Sequence, residues 1–76
     1  MEVLIGRIYK HYKGDYYIVE NIAIHSETGE KMVIYRALYE DAKVYARPYD
    51  MFIDKVENKG QPHRFELQEI SSVVKR

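Results

Sequence analysis

The run KMVIYRALY at residues 31–39 constrains this chain more than any other stretch. It joins β-branched, aromatic and long apolar side chains with no glycine or proline to interrupt them. Such a run is a central strand. With the two-residue period of a strand, Met32, Ile34, Arg36 and Leu38 share one side, and Val33, Tyr35, Ala37 and Tyr39 share the other. Neither side is plainly polar, so both are expected to be covered.

The rest of the chain is placed against that strand. Residues 3–10 alternate as a first strand, with Gly6 marking a bulge or the close approach of another backbone. His11, Tyr12, Lys13, Gly14 and Asp15 read as a turn or a longer excursion. Residues 15–25 form a second strand, with Tyr17, Val19, Asn21 and Ala23 on one side and Ile18, Glu20, Ile22 and Ile24 on the other. SETGE at 26–30 is a five-residue hairpin loop. After a tight connection at 40–42, residues 43–47 make a fourth strand ended by Pro48, which has no amide hydrogen for a ladder. Asp50 is the expected N-cap of one helical or 3-10 turn through Met51, Phe52 and Ile53. A polar loop over 55–63 leads to a closing strand at 64–67. Leu67, Ile70 and Val74 have helical spacing, so residues 67–76 are open to strand, helix or disorder.

A simple register across SETGE sets Ile24 opposite Met32, Ile22 opposite Ile34, Glu20 opposite Arg36 and Ile18 opposite Leu38. The core is then expected on this Ile/Leu/Met/Val side, with Glu20 and Arg36 as a structural ion pair near its edge. The opposite side collects Tyr17, Tyr35, Tyr39, Tyr45, Asn21 and Arg47. About five short antiparallel strands and one helical turn point to a mainly β fold, a small, strongly bent SH3-like barrel. An open meander under a C-terminal helix is the alternative.

At 76 residues the chain is one domain, spanning 1–76, and a domain of that size buries only roughly 60% of its unfolded surface. Lacking cysteine, it has neither a disulfide nor a cysteine zinc site to reinforce a thin core. Lys plus Arg and Asp plus Glu balance at 12 each, so no global field draws it to nucleic acid or membrane. No basic start leads into an apolar run, and no window approaches the roughly 20 apolar residues of a membrane span. A cytoplasmic protein with no membrane partner is the expectation.

His25, Ser26 and Glu27 contain the residue types of a hydrolase. Adjacent residues at a strand end diverge, however, whereas a catalytic triad converges on one atom. No catalytic residues are assigned and no enzymatic activity is expected. His11, His25 and His63 match no metal-ligand spacing, so neither metal nor cofactor is expected. The constellation that carries a functional expectation is Tyr17, Tyr35, Tyr39, Tyr45 and Arg47, with Lys13 and Arg64 nearby. Tyrosine rings stack on peptide side chains or bases, and arginine offers a planar fork to carboxylate or phosphate. The same rings equally make a second small core if Met51, Phe52 and Phe65 fold over them. Both readings stay open. The expected partner is a protein or peptide, with nucleic acid as a further ligand class; the alternative is a structural or oligomerisation domain with no small ligand, a homodimer formed through the aromatic face or an edge strand.

The ordered blocks HYKG at 11–14, HSET at 25–28, VIYRALY at 33–39, Arg47-Pro48 with Met51-Phe52, and Arg64-Phe65 resemble a bacterial family named only as domain of unknown function 1653. The resemblance spans about residues 5–66 and implies a small stand-alone or fused domain with no activity to transfer. Members tend to have a large residue followed by a branched one before the Arg-Pro pair, and glycine after the Leu-Tyr pair. Here those places hold Tyr45-Ala46 and Glu40.

Overall fold

A computed structural model of the chain describes residues 2–57 and 60–69. Five strands run β1 (Ile8–His11), β2 (Tyr16–Ile24), β3 (Lys31–Ala37), β4 (Val44–Pro48) and β5 (Phe65–Leu67), with one helical turn, α1 (Tyr49–Phe52), before the last. All pair antiparallel in a single sheet of order β4-β3-β2-β1-β5. The fold is therefore mainly β with a short helix, as expected. Backbone pairing between β4 and β5 does not close it into a barrel. In a flat sheet those two strands would stand roughly 19 Å apart, yet the Arg47 guanidinium lies 5.6 Å from the Phe65 ring and Tyr35 lies 5.4 Å from it. The sheet is curled, and side chains bridge its two edges.

Several boundaries differ from expectation for local reasons. Gly6, at φ 85°, turns the chain just ahead of β1. Its amide donates to the Val19 carbonyl at 2.7 Å, so the first strand starts at Ile8 rather than at residue 3. Residues 3 and 4 are held instead by tyrosine hydroxyls. The Val3 amide donates to the Tyr49 hydroxyl at 3.0 Å and the Leu4 amide to that of Tyr9 at 2.9 Å. Pro48, not Asp50, stands at the N-cap of α1, and no side chain caps it; Asp50 lies within the first turn. Of residues 67–76, Leu67 ends β5 and the Gln68 amide donates to the Ile8 carbonyl at 2.9 Å. Residues 70–76, on which the strand, helix or disorder expectation mostly falls, lie outside the described residues.

The larger correction concerns register and therefore which face is the core. Ile24 pairs with Lys31 and Ile22 with Val33; the register then shifts between Val19 and Asn21, so that Val19 pairs with Tyr35 and Tyr17 with Ala37. Residue 25 leaves the strand because its ring is used in the loop. The His25 Nδ1 accepts the amides of Glu27 at 3.2 Å and Thr28 at 3.3 Å, and the loop closes with His25 N–H donating to the Glu30 carbonyl at 2.8 Å. The connection thus gains one residue, and a one-residue slip exchanges the faces of a strand. Glu20 is the extra residue of the bulge.

The expected aliphatic core is consequently overturned. The buried cluster is Val3, Tyr9, Val19, Val33, Tyr35, Phe52 and Phe65, with Tyr17, Ile22, Tyr49 and Ile53 packed against it. Phe52 and Phe65 stack at 4.1 Å and 4°, and Phe52 meets Tyr9 and Tyr35 edge-on at 5.5 and 5.3 Å. Rings fill a curled, single-layer core because each carries roughly 150–250 Å² of buriable surface. Met32, Ile34 and Ile18 lie on the outer face, half-covered.

Candidate aromatic and basic recognition site

The tyrosine-rich side gathers at the end of the sheet where β3 passes into β4. Tyr17 sits on β2 directly beneath this turn. Its ring makes edge contacts with Tyr35 at 5.3 Å, Tyr39 at 5.7 Å and Tyr45 at 6.4 Å, and its hydroxyl bonds that of Tyr39 at 2.9 Å. Burial first, and then this hydrogen bond, push the Tyr17 hydroxyl pKa above its ordinary value. Tyr35 is buried and tilts against Tyr45 at 5.7 Å. Tyr45 is 40% exposed. The cluster therefore runs from a buried floor, Tyr35, through half-buried Tyr17 and Tyr39 to an open rim at Tyr45.

The turn that carries Tyr39 to Tyr45 is conformationally costly. Glu40 and Ala42 both have positive φ, at 50° and 54°, where a side chain meets its own backbone. Arg36 braces it from the outer face. Its guanidinium donates to the Ala42 carbonyl at 3.1 Å and to both Glu20 oxygens, at 2.6 and 3.3 Å. Glu20 and Arg36 do meet, but through the bulge rather than through the simple register, and both are substantially exposed. Arg36 is thereby occupied within the fold.

Arg47 follows Tyr45 by two residues and shares its inward side. Its Nε donates to the Tyr35 hydroxyl at 3.1 Å and its guanidinium lies over Phe65. Among the described residues no carboxylate forms an ion pair with it, whereas Arg36, Lys43 and Arg64 each have one. Arg64 is gripped by both oxygens of Asp54 at 2.9 and 3.1 Å, a geometry set by the loop between them. Lys55 bridges His63 in that loop, and Gln61 donates to the Lys10 carbonyl at 2.9 Å.

A residue outside the expected aromatic and basic set ties these groups together. His11, at the end of β1, stacks on Tyr12 at 4.5 Å and meets Phe65 edge-on at 5.0 Å. Its Nδ1 accepts the Lys13 amide at 3.1 Å. Burial lowers its pKa below the ordinary 6.5, and the charges of Arg47, Arg64 and Lys13 lower it further. Strand alternation from Tyr9, which places His11 on the inner face beside Phe65, was the signal that could have found it. Of the seven residues expected at the site, Tyr17, Tyr35, Tyr39, Tyr45 and Arg47 form one connected cluster. Lys13 reaches it through the hydrogen bond from its amide to His11, and Arg64 through its guanidinium 6.0 Å over the Tyr12 ring that stacks on His11. Of the residues expected to fold over the rings, Phe52 and Phe65 do so, while Met51 is 48% exposed and points elsewhere.

The remaining candidates are occupied by local structure. His25 organises its loop, as described, and His63 Nδ1 lies 3.0 Å from Glu66. Among the described residues no three of His, Asp and Glu gather as a metal site, and no helix is long and apolar enough to cross a membrane. A concavity of about 360 Å³ lies at the opposite end of the strands, lined by Glu30, Lys31, Tyr49 and Asp50. It carries less chemistry than the tyrosine end, because the Lys31 ammonium already sits 4.4 Å over the Tyr49 ring and two acids flank it.

A family profile described as "Protein of unknown function (DUF1653)" matches residues 7–67. The chain is also similar to a crystal structure of a protein belonging to DUF1653 from Bordetella bronchiseptica, at 29% identity and a TM-score of 0.74, over 96% of this chain and 95% of that one. No curated protein matches.

Proposed function

The chain belongs to the DUF1653 family of proteins of unknown function, and from that premise, which assigns no activity, we propose that it is a non-catalytic binding module recognising a peptide or protein segment. One observation carries the reading. An exposed ring, Tyr45, is set in place by buried neighbours and stands two residues from a guanidinium with no carboxylate partner among the described residues. A ring already fixed by Tyr17 and Tyr35 loses little further freedom on binding, so contact made there is retained as affinity. Arg47 then supplies the polar, oriented contact that a stacked ring lacks. The balanced charge supports a peptide over nucleic acid, since phosphate binding goes with an excess of Lys and Arg.

Two-dimensional amide NMR of the domain, titrated separately with short peptide mixtures and with oligonucleotides at low salt, tests this. Shifts centred on Tyr39, Tyr45 and Arg47 with peptides, abolished by Tyr45→Ala, are the expected result. A response only to oligonucleotides would reassign the ligand, and silence toward every peptide would sink the proposal.

A further inference from the structure

Among the described residues the sheet has an unpaired side at β4, and the hydrogen-bond phase of that strand defines what it offers. The Ala37 amide donates to the Lys43 carbonyl at 2.9 Å, so 37 and 43 are a hydrogen-bonded antiparallel pair. Antiparallel pairs alternate between bonded and non-bonded types. Tyr35 with Tyr45 and Val33 with Arg47 are therefore also bonded pairs, and Arg36 with Val44 and Ile34 with Ala46 are not. It follows that Val44 and Ala46 direct their amides and carbonyls away from β3, toward the open side. Pro48, in the same phase, has no amide to offer there, which sets the limit of this edge. Val44 is 46% exposed and Ala46 is also exposed. No bulge interrupts the β3–β4 pairing, and α1 begins only after Pro48.

Side chains alternate with the same phase. Lys43, Tyr45 and Arg47 fall on the inner side of the sheet, Val44 and Ala46 on the outer. A strand added beside β4 would set its alternate residues opposite Lys43, Tyr45 and Arg47, on the inner face, and the intervening ones opposite Val44 and Ala46, on the outer. Arg47, with no carboxylate partner among the described residues, and the exposed Lys43, whose ammonium meets Asp41 only at 3.8 Å, thus look for acids, and Val44 and Ala46 look for apolar partners. The same charges oppose a second copy. With β4 paired antiparallel to itself about Tyr45, Lys43 would fall opposite Arg47 of the other copy, like charge on like.

We infer that β4 receives an extended segment of another protein as a sixth, antiparallel strand, and that the segment alternates acidic with apolar residues, its acids facing Arg47 and Lys43. This rests on the binding-module reading and specifies its mode: the edge supplies main-chain hydrogen bonds and the tyrosine rim with Arg47 supplies selectivity.

The test uses the whole chain and a blocked hexapeptide of alternating valine and glutamate, followed by amide NMR and isothermal titration. The expected result is a shift of the Val44 and Ala46 amides and a binding constant that weakens with salt. N-methylation of the valines, whose amides would face Val44 and Ala46, should weaken binding at least tenfold, whereas N-methylation of the glutamates should not. Ala46→Pro removes an amide that points away from β3 and should abolish binding; because the variant risks misfolding, the methylated peptides on the native chain give the deciding comparison. Equal binding of both methylated peptides, centred on Tyr39 and Tyr45, would overturn strand addition while leaving the aromatic-rim reading standing. Binding at β4 that Tyr45→Ala leaves unchanged would do the reverse, removing the rim and keeping the strand. No binding of the valine–glutamate peptide at millimolar concentration, or shifts of the β4 amides on dilution alone, the mark of a second copy in that place, would overturn the inference.

Discussion

Two faces of the same strand lead different lives in this molecule. Along β3, Val33, Tyr35 and Ala37 are buried, while Met32, Ile34 and Arg36, each one residue away, are only half covered. Hydropathy alone does not explain the choice, since the half-covered Met32 and Ile34 are each more apolar than the buried Tyr35. Burial follows what lies above each face. Over the inner face sit Phe52 from α1, Phe65 from β5 and Val3 from the N-terminal segment; among the described residues nothing comparable covers the outer one. The difference teaches that in a chain of 76 residues the core is chosen by where the few covering elements can reach, and those elements here are ring-bearing.

The comparison breaks most visibly at the two phenylalanines. Phe52→Ala and Phe65→Ala each open a hole in the ring stack of the core, and each is expected to cost about 3–5 kcal/mol. The whole domain is expected to hold only about 4–11 kcal/mol. Ile34→Ala on the outer face should cost well under half as much, since that side chain is already partly in water. Urea unfolding of the three variants measures this. A loss at Ile34 equal to that at Phe65 would mean that the outer face is covered in solution.

A smaller effect probes where the inner face meets the rim. Tyr35→Phe keeps the ring and its contacts with Phe52 and Phe65 but deprives the Arg47 Nε of its acceptor at 3.1 Å. The expected loss is about 1 kcal/mol, with greater mobility of Arg47 in side-chain NMR. A neutral outcome with an unchanged Arg47 would show that Phe65 alone holds the guanidinium.

Smaller again is the pH dependence carried by His11. Its folded pKa lies below its ordinary 6.5, through burial and then the cations Arg47, Arg64 and Lys13, with Asp15 acting in the opposite sense. Below pH 6.5 the unfolded chain therefore takes up a proton that the folded chain refuses, and stability falls as the pH drops from 6.5 toward the folded value. Above 6.5 the group contributes no slope. Thermal unfolding between pH 5 and 7.5 should show this fall, and His11→Gln should flatten it. An unchanged slope in the variant would place the titration elsewhere.

Much of this architecture is legible in the residues themselves. Alternating runs bounded by Gly14, Gly29 and Pro48 mark where β2, β3 and β4 start and stop, and Phe52 and Phe65 follow turn and loop as expected. The face of the core is not, because in KMVIYRALY both alternate sets are apolar and the decision passes to the register. That register is set by backbone amides of Glu27 and Thr28 closing on the His25 ring, a contact with no periodic signature. The site shows the same division. The tyrosines and Arg47 are grouped by simple alternation, which also sets His11 on the inner side, but its contact with Phe65 needs β5 to return from the far end of the chain to pair with β1.

The smallest effect tests the joint between the two faces. Both the inward set of Tyr45 and Arg47 and the outward amides of Val44 and Ala46 depend on the turn that keeps Lys43 opposite Ala37. That turn forces Glu40 to a φ of 50°, a conformation that costs a non-glycine residue about 1–2 kcal/mol. Glycine adopts it freely, though it also gains freedom in the unfolded chain worth about 0.4–1 kcal/mol. Glu40→Gly is thus expected to stabilise the domain by about 0.5 kcal/mol, and Glu40→Ala, which keeps the strained Cβ, to give no gain. If the two variants prove equally stable, the positive φ is not a source of strain, and the hold on β4 passes to Arg36 and its 3.1 Å bond to the Ala42 carbonyl. The outer face would then be what fixes the geometry of the inner one.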